Sequence, residues 1–149
     1  MTEDRQTIED RIGDEANLEP PADPGDVELL DHGLRHAGLS GMPAPVAKLL
    51  CAANGMDFGV GRIAGLDALP PRIGGTPFPD LYDLNKANQE RTEQGRYFLV
   101  GETEDTDIAF DTQQQLWVER DTLTGEVYES AAELSLLIAE LLKTDRPLG

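Results

Sequence analysis

The side chains in this sequence that could do chemistry fall into a few groups. His32 and His36 stand at i and i+4, so one helix face would present both as metal ligands, with Glu28 a turn earlier as a third. No Cys or His elsewhere completes a site, and the pair is read as surface histidines, with no metal or other cofactor expected. Gly59, Gly61 and Gly65 lack the spacing of a dinucleotide loop, and no lysine follows them, so they are read as a structural turn. Cys51, the single cysteine, follows the apolar pair Leu49-Leu50 and is expected to pack as a small hydrophobe. No Gly-x-Ser-x-Gly elbow is present, and the sequence holds two histidines to act as base. The expectation is a protein without catalytic activity.

The acidic run Glu102, Glu104, Asp105, Asp107 and Asp111 is the richest cluster. It has no central Gly with alternating oxygen ligands, as a calcium loop would require. Nor does a hairpin turn supply the cleft that sets two carboxylates apart in pKa for acid–base work. It is a solvated turn, or else a place where the Lys and Arg of a partner meet several carboxylates together. Tyr82 and Trp117 are aromatic side chains of the kind that anchor interfaces, although core packing is the competing role for Trp117. Tyr82, Asp83, Glu102, Glu104, Asp105, Asp107 and Trp117 form the candidate partner-binding set.

Net charge narrows the partners. At −17 over 149 residues, the chain is a poor match for nucleic acid or for an anionic membrane surface. Its field draws in basic proteins or metal cations and speeds their encounter, while also serving solubility. The charge is uneven. Residues 1–31 hold eleven acids against Arg5 and Arg11, a net of −9, and the remaining 118 residues hold eighteen acids and ten bases, a net of −8. Segment 1–25, closing on Pro20, Pro21, Pro24 and Gly25, therefore reads as an acidic arm or tail, with Ile8, Ile12 and Leu18 as few anchors. Residues 26–145 make a single domain. The start of the chain lacks the basic and apolar stretches of a signal peptide, and no run approaches the roughly 20 apolar residues that span a bilayer. With one unpaired cysteine as well, a cytoplasmic protein is expected, as a monomer or weak dimer.

The elements that must position these residues follow from periodicity. Asp26 is a plausible cap for a helix whose stripe is Val27, Leu30, Leu34 and Ala37. Pro45 suits the first turn of a second helix, with Val46, Leu49, Leu50 and Ala53 on its buried face and Asn54-Gly55 as its stop. Val60–Ile63 is a short strand, Pro70-Pro71 and Gly74-Gly75 mark an extended connection, and 82–94 has room for a helical turn or two. Arg96–Gly101, Asp107–Asp111, Gln115–Glu119 and Glu126–Glu129 read as four antiparallel strands, turning at Glu104-Asp105 and Thr124-Gly125. Ser130 and Glu133 form a capping box for a last helix with Leu134, Leu137, Ile138 and Leu141 inward. The order predicts an α+β domain, mainly antiparallel sheet, covered by N- and C-terminal helices.

In this order the motifs resemble the SUKH superfamily. Gly38-Leu39-Ser40-Gly41-Met42-Pro43 is similar to that family's turn between its first two helices, with Met42-Pro43 standing where Leu-Pro is usual. The second helix and its Asn54-Gly55 stop, the strand Val60-Gly61-Arg62-Ile63-Ala64-Gly65 and the polar Asp83-Leu84-Asn85 follow in the family's sequence. So do Phe98-Leu99-Val100-Gly101-Glu102, the hairpin strand Asp107–Asp111, Trp117 and the Tyr128-Glu129-Ser130 that opens the last helix. The resemblance runs over 26–142, with 66–81 less typical. It implies a SUKH-like fold without catalytic activity. It also implies an immunity protein that neutralises a cognate toxin, commonly a nuclease or other nucleic-acid-directed enzyme; the alternative is a regulatory scaffold binding a host protein.

Overall fold

Pro24 and Gly25 open a helix rather than precede one. In a computed structural model that describes residues 4–70 and 77–144, helix α2 spans Pro24–His36, and its cap is Asp23, whose Oδ1 accepts from the Gly25 N–H at 2.8 Å. Asp26, expected as the cap, lies inside the first turn. Pro24 sits at the helix start, where its missing N–H leaves no intrahelical bond unmade. Helix α3, Ala44–Ala52, buries Val46, Leu49 and Leu50 as the spacing predicts, and Ala53 beyond its end is buried too. Cys51 departs from expectation: it is exposed, because its position on the helix faces away from that stripe.

The segment read as an acidic arm is built into the body from Arg5 onward. Helix α1, Arg5–Ile12, is capped by Asp4, which accepts from the Thr7 N–H at 2.9 Å, and it buries Ile8 and Ile12. A short strand β1, Asn17–Leu18, then pairs with β2, Met56–Asp57. The Arg5 guanidinium ties this segment down by donating to the carbonyls of Glu19 (2.8 Å), Ala52 (3.0 Å) and Leu18 (3.3 Å). High charge density did not prevent docking, because Ile8, Ile12, Arg5 and Arg11 carry the attachment while Glu9, Asp10, Asp14 and Glu15 are exposed.

The rest of the sheet is a meander. After β3, Gly61–Ile63, come helix α4, Leu81–Ala87, and a 3-10 turn at Gln89–Thr92. Strands β4 (Tyr97–Thr103), β5 (Thr106–Asp111), β6 (Leu116–Asp121) and β7 (Val127–Ala131) follow, and helix α5, Leu134–Thr144, closes the fold. Among the described residues the sheet has seven strands, in chain order and antiparallel throughout. The architecture is thus α+β, a sheet flanked by helices. Gly101 sits at a register shift in β4, where a side chain would meet the Arg62 carbonyl oxygen at 2.3 Å. The expected capping box is not formed: Ser130 is within β7, and α5 starts after Glu133, whose carbonyl accepts from Leu136 and Leu137. Of the extended connection, Leu69 and Phe78 bridge to each other, and 71–76 lies outside the described residues.

Sheet register sorts the side chains onto two faces. Asp107, Ala109 and Asp111 of β5 share a face with Arg120 and Val118 of β6, and this face is covered by α4 and the 3-10 turn. Ile108, Phe110 and Trp117 share the other, against α5, with α1 packed on α5. Phe110 and Trp117 meet edge to face, their centroids 5.0 Å apart.

At the β5–β6 turn, Asp111 accepts from the Arg96 Nη2 at 2.9 Å and from the backbone N–H groups of Gln113 (2.9 Å) and Gln114 (3.2 Å). Burial pushes its carboxyl up, but the Arg96 hydrogen bond and the two amides outweigh burial and leave it below the ordinary Asp range. A native pKa below the unfolded value of about 3.9 means stability that is present above that pH and lost as the pH falls through the native value. Asp111→Asn should therefore lower stability at neutral pH and flatten part of the loss below about pH 4. Urea unfolding at stepped pH reads both effects, and a variant curve parallel to the parent's would show that Asp111 is not a contributor. Part of the acid sensitivity should remain, since Asp31 and Asp121 are lowered as well.

Candidate functional site

Two carboxylate-rich regions result from this folding, and they differ in kind. The first is buried. Arg120, 2% exposed, lies directly across β5–β6 from Asp107, and its Nε donates to Asp107 Oδ1 at 3.2 Å. Its Nη2 donates to the Arg91 carbonyl at 2.8 Å, and Nη1 lies 3.6 Å from Glu93 Oε2. The other oxygen of Asp107 is ion-paired with Arg91. The Tyr97 ring carries two guanidinium groups, Arg120 at 4.1 Å and Arg96 at 4.9 Å from its centroid. Desolvation is the largest influence on both Arg120 and Arg91 and pulls each below the usual arginine value. This network fastens the 3-10 turn to the sheet, and its central carboxylate, Asp107, is buried and paired, while Glu93 at its rim is exposed.

The second region is an open cleft of about 850 Å³. It is lined by Gly59–Arg62, by the β4–β5 turn Glu102–Thr106, and by Glu119, Tyr128 and Glu129 of the last hairpin. Gly59 has a positive φ of 85° and serves the turn as expected, whereas Gly61 opens strand β3, where it packs against the Glu102 carbonyl, and Gly65 packs against Asn54 beyond the strand. Five carboxylates line the cleft: Glu102, Glu104, Asp105, Glu119 and Glu129. Arg62 lines it as well, donating to the Pro70 carbonyl at 2.9 Å, with its guanidinium 5.2 Å from the centre of the Phe78 ring.

Hydrogen bonds order the cleft. Thr106 Oγ1 donates to Glu119 Oε2 at 2.9 Å, and its single proton is thereby used. The 2.5 Å contact between the Thr103 and Thr106 hydroxyls must then be donated by Thr103. Tyr128 donates to Asp121 Oδ2 at 2.5 Å, which pushes the phenol up to about 12 and is the largest influence holding Asp121 down. Tyr128 is therefore a fixed donor at neutral pH. Glu102 is exposed over much of its surface, yet crowding by the protein pushes its carboxyl up, with Arg91 and Arg62 offsetting part of that push. Bringing further cations to this carboxylate would favour its ionised form.

Of the residues expected to meet a partner, Glu102, Glu104 and Asp105 come together on the cleft. Asp107 and Trp117 do not. Asp107 is 3% exposed and belongs to the arginine network; Trp117 is 4% exposed and is part of the core. Both point inward because the strand's alternation, not the turn, sets their direction. Tyr82 and Asp83 lie on the first turn of α4, half-buried and exposed respectively, and are not among the residues lining the cleft. The sequence reading missed Glu119, Tyr128 and Glu129. His32 and His36 are exposed on α2, and among the described residues no group of three or more His, Cys, Asp or Glu side chains is placed to hold a metal ion. Among those residues no helix is long and apolar enough to cross a membrane. No family model and no curated protein matches this chain.

Proposed function

We propose that this chain is a non-catalytic acidic binding protein that docks a basic protein partner at the cleft. In the SUKH-like reading it is an immunity protein that neutralises a cognate basic toxin, a nuclease or other nucleic-acid-directed enzyme, in the cytoplasm. One observation carries the proposal: Glu102, Glu104, Asp105 and Glu129 converge on a single concavity, and among the described residues no ion pair engages them. A concave acidic surface concentrates field lines and accelerates the arrival of a cationic partner. A nuclease's substrate cleft is lined with Lys and Arg for phosphate, and carboxylates at similar spacing meet the same cations.

The test is co-expression with a toxin encoded in the adjacent gene, followed by co-purification. Growth should be restored and a complex recovered. Reversing both exposed turn acids, Glu104→Lys with Asp105→Lys, should weaken that complex at least about tenfold and reduce its salt dependence, while the unfolding midpoint stays close to the parent's. Micromolar mixing without a complex, or a reversal that leaves affinity and salt slope unchanged, would remove this function.

A further inference from the structure

Strand β7 is an edge of the sheet: among the described residues no strand pairs with its outer side, and Val127–Ser130 are exposed throughout. An edge strand turns alternate N–H and C=O groups outward, ready to pair with another extended segment. Its side chains specify the segment. Glu119 stands directly across from Glu129 in the β6–β7 register, a like-charged arrangement that costs stability in an antiparallel pair. Glu129 is exposed and has no cationic partner among the described residues. Glu126 is exposed at the head of the strand. Tyr128 and Val127, 49% and 42% exposed, offer apolar surface between these acids. A second copy of this chain laid antiparallel along the edge would set Glu126 and Glu129 against the same acids, and the contact would repel itself. A strand carrying lysine or arginine would not.

We propose that β7 receives an extended basic segment of a protein partner by strand addition, with a Lys or Arg opposite Glu129. The inference rests on the reading of the chain as a docking protein for a basic partner, and it specifies how part of that partner is held. Glu129 also lines the acidic cleft, so an added strand brings its cations to the same concavity as Glu104 and Asp105. Pairing shifts between Glu119 and Arg120, which leaves Tyr128 as the extra residue of a bulge. The regular edge available to a newcomer is therefore Glu129–Ala131. Backbone bonds would supply the docking and the alternation of cations the selectivity.

The probe is a short peptide alternating lysine and valine, titrated into the full chain and followed through the backbone amide signals of β7. Its control is the same peptide with every amide N-methylated, which keeps the charge and removes the donors. The alternating peptide should shift the amide signals of residues 129–131 and protect those whose N–H faces outward. N-methylation should weaken it by about tenfold or more, and Glu129→Lys by about tenfold. Equal binding of the two peptides would overturn strand addition while leaving docking of a basic partner in place. Failure of both peptides at millimolar concentration would also overturn it. The docking function itself is judged separately, by the Glu104 and Asp105 reversal against the natural partner.

Discussion

Arg120→Met should cost the folded state about 3–5 kcal/mol, because it leaves a buried carboxylate short of its partner. Against a total stability of roughly 5–15 kcal/mol, that places the variant close to unfolding. The size follows from how many groups the guanidinium serves at once. It neutralises Asp107 across the strand pair, caps the Arg91 carbonyl at 2.8 Å, reaches Glu93 and stacks 4.1 Å from the centre of the Tyr97 ring. Methionine keeps most of the volume and none of these bonds, so the loss is electrostatic rather than a cavity. Urea unfolding should show the midpoint falling with little change in slope. Pairing the change with Asp107→Leu separates the worth of the pair from the cost of an orphaned charge. The double variant should be less destabilised than the two single losses added together. A single-variant loss under about 1 kcal/mol would mean that the network behaves like a solvated surface pair.

That network also shows where sequence reasoning stopped. Helices α3 and α5 were legible because Val46, Leu49 and Leu50, and Leu134, Leu137, Ile138 and Leu141, repeat at helical spacing, and all are buried. The four C-terminal strands were legible from their β-rich runs and turns. Strands β1 and β2 were not, since two residues hold no period. Cys51 was misplaced by trusting residue type over phase, for it lies roughly 200° around the helix from Leu49. Asp107 was assigned to the turn because it sits among acids. Yet Asp107, Ala109 and Asp111 alternate onto one strand face, and Arg120 lies across from Asp107 once the register is known. The missed half of the cleft was hidden for the same reason. A two-residue turn at Thr124-Gly125 would set Glu119 opposite Ser130, with Glu129 on the other face, and it is the register shift between Glu119 and Arg120 that sets Glu119 opposite Glu129. What periodicity alone does not give is register, and both the buried network and the open cleft depend on register.

Ile8→Ala should destabilise the protein by about 2–5 kcal/mol, the range for truncating a fully buried isoleucine that its surroundings do not collapse around. Ile8 is 1% exposed and Ile12 is 4% exposed, on a helix that packs against α5. Two arginines brace the same helix. Arg5 donates to the carbonyls of Leu18, Glu19 and Ala52, and Arg11 donates to Glu133 Oε1 at 2.6 Å and to Ser135 Oγ at 3.1 Å. An acidic tail would behave differently: Ile8→Ala would fall within about 0.5 kcal/mol, as exposed substitutions do. The neighbouring exposed Asp10→Asn is the control, and it should stay within that margin. Hydrogen exchange supplies an independent readout, since the amides at the end of α1 should be protected to a level that tracks global stability. If those amides exchange as fast as unstructured chain while the sheet stays protected, the helix is not part of the cooperative unit. Residues 1–25 would then return to the role of a detached acidic arm, free to lie across a basic partner.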